Sequence, residues 1–193
     1  FIEWFDYASY SYFATTIALV FFPTDNHTVA MLQTFGVFAL SFILRPIGAL
    51  FWGSYGDKKG RKAALAHSIM FMSGASFLIG CLPSYSVIGV GAPILLLLLR
   101  MVQGFSASGE YAGAATFLGE YAPTSKRGIY CSLIPASTAI GLLAGSTLAT
   151  LMTANMNSSA MVGWGWRVPF LLAGPLGLIV LHIRTKLADS PVY

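Results

Sequence analysis

The side chains able to do chemistry in this sequence are few, and most stand inside apolar stretches. Arg100, Gln103, Glu110 and Tyr111 fall in one such stretch. At 100° per residue they share an arc of roughly 100° on a helix. Arg100 offers a guanidinium fork suited to a carboxylate, and Gln103 adds an amide beside it. Glu110 lies about 15 Å further along the axis, too far to pair with Arg100, so each charge needs another partner: substrate, water or a neighbouring helix. Gly104, Ala107 and Ala114 share the face and leave room, which predicts a water-filled cavity along it. A second polar face follows helical spacing through Glu3, Asp6, Tyr7, Tyr10 and Ala14. A low dielectric penalises the charged form of a carboxyl group, so Glu3, Asp6 or Glu110 can serve as a proton carrier. The plainer reading of Glu3 and Asp6 is that both reach water near a helix end and favour its positive dipole.

Arg45, next to Pro46, reads as a static ion-pair partner for Asp6 or Glu110. Arg167 follows Trp164 and Trp166 and reads as interfacial, and His67 and His182 as hydrogen-bonded or interfacial groups at helix ends. Trp4, Tyr7, Tyr10, Phe13 and Tyr111 would suit part of an aromatic cage for a quaternary ammonium, with Arg100 taking the carboxylate of a zwitterion. The same arginine would equally serve a di- or tricarboxylate, with Arg45 assisting, so two substrate classes stay open.

The elements that must position these groups follow from composition. Charged residues make up 9% of the 193 and hydrophobic residues 56%, with a mean hydropathy of +0.71. Soluble domains carry roughly a quarter charged residues, so the bulk of this chain lies in lipid. Six stretches approach the 20 or so apolar residues a transmembrane helix needs: about 4–22, 29–55, 63–82, 93–118, 129–151 and 166–184. Together they make one all-α membrane bundle, in which abundant Gly and Ala point to tight helix packing. Pro135 and several Ser and Thr dilute the fifth stretch. Phe1 stands almost at the start of a hydrophobic run, so the natural N-terminus is expected upstream.

Eight of the eleven basic residues fall after the second, fourth and sixth stretches: Lys58, Lys59, Arg61, Lys62, Lys126, Arg127, Arg184 and Lys186. The positive-inside rule then places those connections, and both ends of the chain, in the cytoplasm. The basic clusters lack the interleaved aromatics of a nucleic-acid surface, so no nucleic-acid partner is expected. Cys81 and Cys131 read as free thiols. No catalytic triad, metal-ligand spacing or P-loop is present; the expectation is no enzyme, no metal and no cofactor, with energy drawn from a proton gradient.

Between the second and third stretches, Gly53, Asp57, Lys58, Gly60, Arg61 and Lys62 carry the pattern G-x-x-x-D-[RK]-x-G-[RK]-[RK]. Its glycines suit a very short turn, and an acid between basic residues suits an ion-pair latch. Here the chain resembles the major facilitator superfamily. Glu3-Trp4-Phe5-Asp6, Arg45-Pro46-Ile47-Gly48, Arg100-Met101-Val102-Gln103-Gly104, Gly109-Glu110-Tyr111 and Trp166-Arg167-Val168-Pro169-Phe170 extend the likeness to its metabolite:proton symporter branch.

The resemblance implies a twelve-helix fold in two halves, each of two inverted three-helix repeats, with substrate bound between the halves. This chain would be the first half, ending near Asp189-Ser190-Pro191, and the second half its partner. It also implies a bacterial inner-membrane symporter importing a small zwitterionic osmolyte such as proline or glycine betaine. The alternatives are an organic-acid symporter of the 2-oxoglutarate, citrate or shikimate type, an uncoupled facilitator, or a sensor on the same fold. In this scheme Arg100, Gln103, Tyr10 and Tyr111 bind substrate, Glu110, Asp6 and Glu3 couple protons, and Gly53, Asp57, Gly60, Arg61 and Lys62 form a gate.

Overall fold

The computed structural model describes residues 1–186, apart from the side chains of residues 112, 121 and 185. The Asp189-Ser190-Pro191 stretch lies outside the described residues. Every regular element among the described residues is helical. The first span is α1 (Ile2–Tyr12) and α2 (Ala14–Phe21), and the second is α3 (His27–Ile43) and α4 (Arg45–Lys59). The third is α5 (Arg61–Cys81), followed by the short α6 (Tyr85–Ile88). The fourth is α7 (Gly91–Tyr121) and the fifth α8 (Arg127–Asn155). A short α9 (Ser158–Ala160) and a π-helical turn at Met161–Gly165 lead into the sixth, α10 (Arg167–Lys186).

Local chemistry explains the breaks. Backbone bonds from Phe13 N–H to the Ser9 carbonyl (3.0 Å) and from Ile17 N–H to the Phe13 carbonyl (2.8 Å) carry the first span across Phe13. Asn26 caps α3, its Oδ1 accepting from the Thr28 and Val29 amides at 3.0 and 3.4 Å. Pro46 has no N–H for the carbonyl of Phe42, and the second span breaks at Leu44. Gly60 alone separates α4 from α5, at φ 95°, a backbone state that side chains resist. The fifth span is a continuous helix of 29 residues despite Pro135.

Among the described residues five segments suffice by length and hydropathy to cross a membrane, His27–Lys59, Arg61–Cys81, Gly91–Glu120, Thr124–Asn155 and Ser158–Arg184. The first span falls outside that set, diluted by Glu3, Asp6 and three tyrosines. It is largely enclosed by its neighbours, with Phe5, Asp6, Ser9, Tyr10 and Ile17 all buried. A helix walled in by helices needs no lipid-compatible surface all round.

The first span packs on the fifth, the second on the fourth, and the third on the sixth. Exchanging spans one to three with four to six maps the first of these contacts onto the second and the last onto itself, as two inverted three-helix repeats require. Small residues sit at the equivalent crossings. Gly104 lies against the Ser41 carbonyl where the fourth span meets the second. A Cβ on Gly145 would meet Ala8 Cβ at 2.7 Å and the Phe5 carbonyl at 2.8 Å, where the fifth meets the first. Gly104→Val or Gly145→Val should therefore lower stability by about 1–3 kcal/mol or more, the cost of overpacking. Gly74→Ala, with open space at its Cβ, should be neutral or slightly stabilising. Thermal unfolding of the full-length protein in detergent checks both.

Candidate functional site

The most enclosed charges lie between the first and fourth spans. Arg100 is wholly inaccessible and its Nη1 donates to Asp6 Oδ2 at 2.6 Å, with Asp6 4% exposed. The guanidinium carbon sits 3.8 Å from the Tyr10 ring centroid, with Phe38 and Phe170 at 5.9 and 5.7 Å. Aromatic faces stabilise a cation, so four helices contribute to holding this one charge. Among the described residues, Arg100 Nε and Nη2 and Asp6 Oδ1 have no hydrogen-bond partner. Gln103 donates to Ser76 Oγ at 2.5 Å, and its Oε1 is likewise unpaired.

One turn towards the end that carries the basic loops, Arg45 bonds Glu3 and the Tyr7 hydroxyl, and lies over the Phe42 ring at 4.5 Å. The partner expected for Arg45 was Asp6 or Glu110; Asp6 is already taken by Arg100, and Glu110 lies with another helix. Arg184 at the end of α10 grips Glu110 with both terminal nitrogens, at 2.8 and 2.9 Å. Ser68 donates to the same carboxylate at 2.8 Å, and Arg184 also bonds the Leu65 carbonyl. Glu110 thus ties the third, fourth and sixth spans together.

Among the described residues Arg100 and Gln103 are buried against Asp6, Tyr10 and Ser76 rather than lining the open cavity expected along their face. A cavity opens at the Glu110 end. There a cavity of about 300 Å³ is bounded by Glu3, Glu110, Tyr111, Ser137 and Arg184, among others. Asp6 is buried and does not reach water as the plainer reading had it, while Glu3, also buried, borders this cavity. Tyr10 is fully buried, its hydroxyl donating to the Thr34 carbonyl at 2.9 Å, and Phe13 is equally enclosed. Neither faces open space, whereas Tyr111 is 52% exposed. The aromatic wall that is accessible uses Trp4, Tyr7, Tyr12, Phe38 and Phe42, in an open groove of about 650 Å³ between the first, second and fifth spans.

The gate motif forms a tight corner. Arg61 Nη2 lies 2.9 Å from Asp57 Oδ1, with the Asp57 side chain mostly exposed. Lys58 and Lys59 close α4, where they favour its negative end. Lys62 borders a smaller cavity with Leu65, Phe117 and Arg184, and a Cβ on Gly53 would meet nothing within 4 Å. Arg167, expected at the interface, donates to the carbonyls of Gly80 and Leu82 at 3.0 and 2.5 Å and so caps the third span. His67 hydrogen-bonds the Ala63 carbonyl at 2.7 Å, as expected near a helix end. Cys81 and Cys131 are free thiols.

Sequence reasoning missed Arg184, Ser68, Ser76, Phe38 and Phe42. Only the last two left a signal: Phe38, Phe42 and Arg45 stand at i, i+4 and i+7, one helical face.

The chain matches the family described as sugar (and other) transporter over residues 1–193. It is 43% identical over 192 residues to the glycine betaine/proline/ectoine/pipecolic acid transporter OusA of Dickeya dadantii, and 42% identical to the proline/betaine transporter of Escherichia coli K12. Each match covers 100% of this chain and 38% of the relative, so the chain spans about two-fifths of their length. Solved structures of the proton:xylose symporter XylE, of the major facilitator superfamily, share the fold. One superposes with a TM-score of 0.86 at 17% identity, covering 98% of this chain and 42% of that one. A partially occluded inward-open form from E. coli gives 0.85 at 20%, covering 98% and 46%.

Removing one member of a dry ion pair strands the other charge, at a cost of about 3–5 kcal/mol. Arg100→Gln should show that loss, and the double variant Asp6→Asn with Arg100→Gln should lose clearly less than the sum of the two single changes. Thermal unfolding of the full-length protein decides it; additive losses would mean that the two charges do not stabilise each other.

Proposed function

The chain belongs to the sugar (and other) transporter family of the major facilitator superfamily, and from that premise we propose that it is the first half of a proton-coupled symporter importing a zwitterionic osmolyte such as proline or glycine betaine. The observation that carries this reading is the sealed Asp6–Arg100 pair. With Asp6 ionised the pair is neutral and the charge of the guanidinium is balanced. A proton on Asp6 removes the negative member and leaves a buried, uncompensated cation, which burial strongly disfavours. A substrate carboxylate can then restore neutrality, with the amide of Gln103 beside it. Proton and carboxylate each make room for the other, which is the electrostatic requirement for symport.

The open groove supplies the second half of the recognition. Its rings offer several aromatic faces to a quaternary or secondary ammonium. Phe38 borders both the groove and the sealed Arg100, so once the Asp6–Arg100 pair opens a small zwitterion can place its two ends against the two features. The relatives named for betaine and proline support this substrate class. Glu110, clasped by Arg184 and Ser68, acts as a brace between helices rather than as the proton carrier.

The orientation that the basic loops favour places Asp57 and Arg61 at the cytoplasmic side of a bacterial inner membrane, with both ends of the segment there. In that position their exposed corner latches the second six-helix half in the outward-facing state. Such a pair contributes at most about 1 kcal/mol by itself, so its leverage comes from contact with the other half.

Full-length protein in proteoliposomes should accumulate labelled glycine betaine or proline when an inward proton gradient is imposed, and an uncoupler should abolish the accumulation. Uptake that only equilibrates would exclude proton coupling. Uptake of 2-oxoglutarate or citrate in place of either osmolyte would move the substrate to the organic-acid class. Asp6→Asn should lose gradient-driven accumulation by about a hundredfold, the usual worth of a placed proton-transfer group. Asp57→Asn should raise the reactivity of cysteines placed at the cytoplasmic side, and unchanged labelling would remove the latch.

A further inference from the structure

A buried proton carrier needs a way out, and two adjoining spaces mark one. Glu3 and Asp6 stand one turn apart on the first span. Together with Tyr7, Met72, Gln103 and Ala107 they bound a narrow cleft with no room for water. Two of the residues bounding it carry buried acceptors without hydrogen-bond partners among the described residues, Asp6 Oδ1 and Gln103 Oε1. Glu3 also borders the 300 Å³ cavity, ample for several waters. Glu3 is thus the ionisable side chain common to both spaces.

We propose that Glu3 relays the proton between Asp6 and this cavity, which serves as the aqueous vestibule for proton release. The inference rests on the symport reading above and names its exit. The proton leaves the Asp6 carboxyl group for the Glu3 carboxylate, restoring the Asp6–Arg100 pair. It then passes from Glu3 to vestibule water, restoring the Glu3–Arg45 pair. No oxidant, reductant or other reactant is needed.

The charges around Glu3 suit a relay. Arg45 and the Tyr7 hydroxyl hold its carboxylate from the second span and from its own helix. Across the vestibule stand Glu110 and Arg184, already paired with each other, while the fifth-span residues Leu133, Ile134, Ser137 and Thr138 carry no charge. The cation that steadies Glu3 is partly exposed, unlike Arg100, and Glu3 borders the cavity, which Asp6 does not.

The test uses full-length protein in proteoliposomes and compares exchange of labelled substrate at zero gradient with uptake driven by a proton gradient. Exchange does not require net proton release, whereas driven uptake does. Glu3→Gln should slow driven uptake by about a hundredfold and change exchange far less, and the pair variant Glu3→Gln with Arg45→Gln should show the same split. Driven uptake equal to wild type in both would overturn the relay. A wild type without driven uptake would instead overturn the symport reading beneath it. Should neither variant fold, Ser137→Cys, with Cys81 and Cys131 replaced by Ser, decides the vestibule. A membrane-impermeant thiol reagent added from the cytoplasmic side should label it and slow driven uptake more than exchange. Absence of labelling in every gradient condition would overturn the proposal.

Discussion

A guanidinium enclosed in a helical bundle has to be neutralised where it stands, and much of this structure is arranged around that demand at Arg100. Asp6 supplies the counter-charge at 2.6 Å, which sets the register of the first span against the fourth. Tyr10 lies beneath the guanidinium, with Phe38 and Phe170 alongside, and each brings its own helix to the same point. The Tyr10 hydroxyl then reaches the Thr34 carbonyl on the second span. One buried charge thereby fixes the relative depth of four spans. Among the described residues the spare donors of Arg100 and the spare oxygen of Asp6 remain unpaired, and it is the two guanidinium nitrogens that could meet a further acceptor such as a carboxylate.

The ion pairs lose enclosure in steps towards the end with the basic loops. Arg100–Asp6 is dry, Glu3–Arg45 and Glu110–Arg184 are partly covered, and Asp57–Arg61 is largely exposed. The strength of an ion pair, and the cost of breaking it, follows its surroundings. The inner pair is therefore the one able to distinguish two states of charge sharply. The intermediate pairs are less costly to break, and the outermost contributes least by itself. Close crossings at Gly104 and Gly145 keep the helices that carry these pairs near enough for short side chains to meet.

Composition, hydropathy and loop charge were enough to define an all-helical membrane bundle of six spans, because lipid admits few alternatives for a chain so poor in charge. The corner at Gly60 was legible too, since Gly60, Asp57 and Arg61 act on neighbours a few residues away, although the stretch from Gly53 to Lys62 is helical on both sides of Gly60. The candidate residues were legible as types: Arg100, Asp6, Glu3, Glu110 and Arg45 all stand out as charges inside apolar stretches.

Their pairing was not legible. Helical periodicity says which face of its own helix a residue occupies, but not which helix lies opposite or at what depth. Arg45 therefore took Glu3, and Glu110 took an arginine that loop charge alone had placed outside the bundle. The same limit hid the sealing of Arg100, because Gly104 reads as free space until the Ser41 carbonyl of another span is seen to fill it. The sequence determined the bundle, its loops and its stock of charges, all consequences of local patterning and of the solvent. Only the tertiary structure decided which charges meet and which spaces stay open, because those depend on contacts between residues as far apart as 6 and 100.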